Sequence, residues 1–139
     1  MTRYVIFGLT AVTSLVFAAQ AVSAHHSFAS EFDRDKPITL TGTVTKVEWT
    51  NPHGRFFVDV KDAAGVVTSW EIEQGSVNSL FRGGWTRTTL KAGDVVTVNG
   101  FLARETPHLV AASNAPATIT LPDGRTYAPG SKMPPLPTR

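Results

Sequence analysis

From Ile38 onward the chain alternates apolar and polar residues with the two-residue period of half-buried strands. Ile38 to Trp49 reads as one long strand. Its apolar positions are even at Ile38, Leu40 and Val44 and odd at Val47 and Trp49. A change of phase inside one strand predicts a bulge near Thr45 and Lys46, and Gly42 permits further bending. Asn51-Pro52-His53-Gly54 is a turn. A second strand follows from Arg55 to Lys61, with Phe56, Val58 and Val60 on one face and Phe57 and Asp59 on the other. The turn Asp62 to Gly65 leads into a third strand, Val66 to Glu73. There Thr68, Trp70 and Ile72 alternate with Ser69, Glu71 and Glu73.

The period then lengthens. Ser76 can cap a short helix carrying Val77, Leu80 and Phe81, and Gly83 can end it. A fourth strand spans Val95 to Arg104, with Val96, Val98, Gly100 and Leu102 as its expected inner face. A fifth starts near Leu109. Ile119–Leu121 and Thr126–Tyr127 flank Pro122-Asp123-Gly124 as a small terminal hairpin. Trp49, Trp70 and Trp85 are expected in the core. Three meandering strands, one short helix and two further strands make an all-β order with one short helix. A long bent first strand, able to pair at both ends, is what a small closed barrel needs. The expectation is a five-stranded OB-like barrel, with another small barrel or an open sheet as the alternatives.

Composition adds an address. Arg3, an apolar stretch from Tyr4 to Ala19 and the small-residue exit Ala21-Val22-Ser23-Ala24 form a cleavable secretory signal over residues 1–24. Cleavage after Ala24 makes His25 the first mature residue; Ala19-Gln20-Ala21 is a second exit. The expected plan is an extended arm over 25–37, a barrel domain with its hairpin over 38–128, and a disordered proline-rich tail over 129–139. The expected location is the periplasm. After cleavage no segment remains that could span a membrane as a helix. Lys and Arg number thirteen against eleven Asp and Glu. That near balance, with no basic stripe, argues against nucleic acid, the familiar OB ligand. The chain has no cysteine, which excludes disulfides, thiol catalysis and cysteinyl metal sites.

Several segments, HHSFASEFDRDKPITLTGTVTKVEWTNPH, SWEIEQGS, GWTRTTLKAGDVVTVNG and TLPDGR, resemble a proteobacterial family of small exported proteins known as the domain of unknown function 6152 family. The resemblance covers nearly the whole mature chain. HHSF and EWTNPH are its most distinctive parts, and the stretch from Glu105 to Ala117 is less typical. It implies no activity.

The four histidines carry the sharpest chemistry. His25 and His26 open the mature chain, His53 lies in the turn between strands one and two, and His108 lies in the loop between strands four and five. In OB barrels these two loops flank the ligand face made by strands two and three. The stretch Ser27 to Pro37, fully extended, reaches roughly 36 Å, so an arm could bring the first two histidines to that face. Imidazole suits copper, zinc or nickel. An amino-terminal histidine can chelate through its free amine and its ring, and a further histidine such as His53 completes a T-shaped copper site. Cleavage one residue earlier places a histidine third, an arrangement that binds copper or nickel through amine, amides and imidazole.

Catalysis has less support. Glu71 and Glu73 lie on one strand face, which could form a paired-acid site, but a solvated polar face explains them better. No G-x-S-x-G elbow is present. The sequence therefore reads as an exported OB-like binding or accessory protein without catalysis of its own. Its partner would be a periplasmic protein or a small ligand. Copper is the candidate ion, and His25, His26, His53 and His108 are the candidate ligands. The alternative is a metal-free protein- or glycan-binding module. Its face would be built from Phe57, Phe101, Asp59 and Glu71, unless the amino-terminal arm folds back over the two aromatics.

Overall fold

A computed structural model describes residues 27–136. The signal segment, His25 and His26 lie outside the described residues. Two units are present, Met1–Glu31 and Phe32–Arg139. The described part of the first is a short helix, α1 (Ser27–Glu31). No helix among the described residues is long and apolar enough to cross a membrane.

Among its described residues the second unit holds seven strands and one helix. Strand β1 (Phe32–Glu48) is followed by β2 (Arg55–Lys61), β3 (Val67–Glu73), the helix α2 (Val77–Arg82), β4 (Val95–Ala103) and β5 (Leu109–Ala111). A hairpin of β6 (Thr118–Thr120) and β7 (Thr126–Tyr127) ends the series. The sheet runs β1-β2-β3-β5-β4, and a β1–β4 pairing closes it into a five-stranded barrel. Only β3 and β5 are parallel. This is the OB-like order expected from the sequence.

Closure depends on β1 serving two neighbours. Its Pro37–Thr43 stretch pairs with β4, and Thr43–Glu48 pairs with β2. The register slips between Val44 and Lys46, where the apolar phase changes. At Gly42 the strands pack so closely that a Cβ would overlap the Asp59 carbonyl and the Val58 side chain. Gly100 plays the same part where β4 meets β5: a Cβ there would stand 2.5 Å from the Ala111 carbonyl oxygen. Val44, Phe56, Val58, Ile72, Val96, Val98, Val110 and Ile119 fill the interior. Ser76 caps α2 by accepting from the Ser79 backbone N–H, and Val77 and Leu80 are buried.

Four expectations need correction. Among its described residues the arm expected over 25–37 is not wholly extended: residues 27–31 are helical, and from Phe32 the chain belongs to β1. Phe32 is buried and pairs with Ala103; the register then breaks before Pro37, so Asp33 to Lys36 bulge out. The Asp33 carboxylate, also buried, accepts from Arg104 at 3.3 Å and from the Asp35 N–H at 3.1 Å. Second, β4 loses its alternation after Gly100. Phe101 is buried and Leu102 only half-buried, with Arg34 of the β1 bulge lying 6.0 Å above the Phe101 ring. Third, of the three tryptophans only Trp85 is buried; Trp49 and Trp70 are half-buried. Fourth, the proline-rich segment is tied down over 129–136. The Met133 N–H donates to the Gly83 carbonyl, and Arg125 donates to the Pro134 carbonyl. Proline has no N–H for a ladder, yet its carbonyl still accepts.

Candidate functional site

The β1–β2 turn is held from two sides. The Gly54 N–H donates to the Gly75 carbonyl, and the Gln74 N–H donates to the Gly54 carbonyl, so the turn is bonded to the chain that follows β3. The Asn51 side-chain oxygen accepts from the Val77 N–H at 3.3 Å, joining the turn to the start of α2. Trp49, just before the turn, packs on Phe81 of α2 with ring centroids 5.3 Å apart.

His53 is thereby placed over the end of β3. Its Nδ1 lies 3.1 Å from the Gln74 carbonyl oxygen and 3.6 Å from Glu73 Oε1. A carbonyl can only accept, so the neutral ring carries its proton on Nδ1 and keeps the Nε2 lone pair free. Glu73 is a buried carboxylate, its side chain only 5% exposed. Arg55, directly opposite it in the β2–β3 register, donates to Glu73 Oε2 at 3.3 Å and to Glu71 Oε1 at 3.0 Å. One guanidinium thus spans two carboxylates. Arg55, Glu71 and Glu73 together carry one net negative charge beside the His53 ring, an environment that favours a bound cation.

The other expected site residues are dispersed. His108, with φ of 57°, rests edge-on against Trp70, ring centroids 5.0 Å apart. Its carbonyl accepts from the Glu71 N–H. Phe57 is half-buried with the Lys46 ammonium 5.6 Å from its ring centroid, and Asp59 pairs with Ser69 along the hairpin. Phe101, expected on an open ligand face, is covered. Glu73, expected on a solvated face, is buried because β5 lies alongside and sets Ala111 opposite it. Among the described residues no three His, Cys, Asp or Glu side chains stand together in a way that could hold a metal ion.

Two contributors escaped the sequence reading. Arg55 is the first; counting outward from the turn at residues 62–66 would have placed it opposite Glu73. Gln74 is the second. Its carbonyl orients His53, and its side-chain Nε2 is buried without a hydrogen-bond partner.

Residues 12–109 match the pattern of a family described as "Family of unknown function (DUF6152)". The chain belongs to this family. The matched span includes the EWTNPH turn and the whole Arg55–Glu71–Glu73–Gln74 cluster, so the candidate site of this DUF6152 member falls inside the family region. The TLPDGR segment lies beyond it. A comparison with curated proteins finds no match.

Proposed function

We propose that this DUF6152 member is an exported periplasmic binding protein without catalysis of its own, and that it holds a copper-type ion through His53 together with His25 and His26. The observation that carries this reading is the Nδ1 contact of His53 with the Gln74 carbonyl, beside the buried Glu73. Metal-binding histidines are typically oriented by such an acceptor on the second ring nitrogen, which leaves the first as the ligand. The remaining donors would be the ring and free amine of His25 and the ring of His26, delivered by cleavage after Ala24. His108, which stands edge-on against Trp70, is left out of the proposed ligand set.

The metal-free protein- or glycan-binding alternative has less support. It needs open aromatics beside β2 and β3; Phe101 is buried and Phe57 lies under Lys46.

The test is a Cu(II) titration, followed by electron paramagnetic resonance, of protein produced through export with its amino terminus verified by mass spectrometry. One equivalent should bind with a nitrogen-rich signature. His53→Ala should weaken binding by roughly 100-fold, at the upper end of what loss of a supporting partner alone produces. Micromolar or weaker binding that His53→Ala leaves unchanged would refute the site.

A further inference from the structure

A second region invites a ligand of opposite charge. A cleft of about 220 Å³ lies between the last turn of α2 and the segment 130–132, lined by Ser79, Arg82, Tyr127, Ser131 and Lys132 with two backbone glycines. Two of these side chains are cations and none is a carboxylate. Lys132 donates to the Arg82 carbonyl at 2.6 Å, which uses one of its three protons and places its charge at the helix C-terminus. Among the described residues the Arg82 guanidinium has no ion pair or hydrogen bond. The Ser79 hydroxyl likewise has none, and Tyr127 is a buried phenol beside the Gly130 backbone. Ser131 donates its hydroxyl to the Ala128 carbonyl, so it can only accept.

A neighbouring cleft sharpens the assignment. It is larger, about 370 Å³, and is also lined by two cations, Lys91 and Arg125, along with three threonines. There each cation is neutralised by its own carboxylate: Lys91 by Asp94 at 3.2 Å and Arg125 by Asp123 at 2.7 Å. An anion entering that cleft would have to displace a carboxylate already in place. In the smaller cleft it would meet two cations that no carboxylate among the described residues neutralises.

We propose that the Arg82–Lys132 cleft binds a phosphate-type oxyanion, either free or as the phosphate of a lipid headgroup. Arg82 supplies the forked donor that suits tetrahedral oxyanions, Lys132 supplies a point charge, and Ser79 and Tyr127 supply neutral donors. The burial that pushes the Tyr127 phenol above its ordinary value keeps that hydroxyl protonated. This site is independent of the metal reading.

The test uses the full exported chain at low ionic strength. One arm titrates inorganic phosphate by calorimetry; the other measures co-flotation with phosphatidylglycerol vesicles against phosphatidylcholine vesicles. Saturable phosphate binding, weakened about tenfold by Arg82→Gln and again by Lys132→Gln, identifies the free oxyanion; that step is the scale of one charge-assisted hydrogen bond. Flotation that needs phosphatidylglycerol and is lost in Arg82→Gln, with a flat phosphate titration, identifies the headgroup. Lys91→Gln, in the neutralised cleft, should change neither readout. Thermal melting of each variant separates lost binding from lost fold. A flat phosphate titration with no Arg82-dependent flotation overturns the proposal. So does binding that survives in the double variant, or that Lys91→Gln weakens equally.

Discussion

Two outer surfaces of the same barrel are built on opposite plans. Where the Thr39–Thr41 stretch of β1 pairs with β4, and β4 with the β6–β7 hairpin, the outward positions are neutral and nearly uniform. Thr39, Asn99 and Thr118 form one row, and Thr41, Thr97, Thr120 and Thr126 form the next. Neighbours bond within each row: Thr39 to Asn99 at 2.7 Å, Asn99 to Thr118 at 2.9 Å, Thr41 to Thr97 at 2.9 Å and Thr120 to Thr126 at 3.0 Å. At the rim beside the β1–β2 turn, unlike groups meet instead: an imidazole, a guanidinium, two carboxylates and a primary amide, with Glu73 and Gln74 out of water. A threonine pair that is lost can turn to solvent. A buried carboxylate that loses its cation cannot, so the rim is where the fold withstands strain in its polar groups. That contrast, rather than the presence of a histidine alone, makes the rim the candidate site.

The largest expected effect breaks the rim. Arg55→Ala leaves Glu73 buried without its guanidinium and should destabilise the fold by about 2–3 kcal/mol in urea unfolding. That is below the figure for a fully buried pair because Arg55 is 41% exposed. The double variant Arg55→Met, Glu73→Gln should lose less than the two single changes summed, since it removes the stranded charge together with its partner.

A smaller effect lies beneath the threonine rows. Tyr127 is buried there, next to Thr126, and burial raises its phenol above the ordinary 10.0, partly offset by a hydrogen bond from the Gly130 backbone. The unfolded chain then releases this proton before the folded one does. Stability should hold up to about pH 10 and fall above it until the folded phenol also ionises. Tyr127→Phe should flatten that alkaline decline while leaving the metal titration at the rim unchanged.

The smallest effect tests the neutrality of the rows. Thr41→Val removes one hydroxyl from an exposed pair and should shift stability by no more than about 0.5 kcal/mol. A loss as large as that of Arg55→Ala would erase the distinction between the two surfaces.

The parts of this contrast were unequally legible in the sequence. The barrel order and the bulge in β1 could be read because apolar residues record which face they occupy; the switch from Val44 to Val47 is such a record. The start of β1 could not. Asp33 to Lys36 is polar without alternation, and its anchor is Arg104 in the loop after β4. Phe101 was misplaced for the same reason, since what covers it belongs to a distant part of the chain. His53 was visible as a turn histidine. The burial of Glu73 was not, because alternation assigns a face and says nothing of what a crossing strand lays beside it.

One feature of the fold also bears on the order in which the chain can finish. β1 pairs with β2 within a short span, but its other half must wait for β4: Leu40 finds its partner only at Val98. During synthesis from the amino end, a three-stranded meander can therefore form early while one flank of β1 stays open. Contacts of such long sequence separation slow the final step, because loop-closure entropy is lost before they reward it. The seam between β1 and β4, which joins the strands farthest apart in the chain, is thus slow to shut and leaves an open strand edge at which an unfinished chain could pair with another.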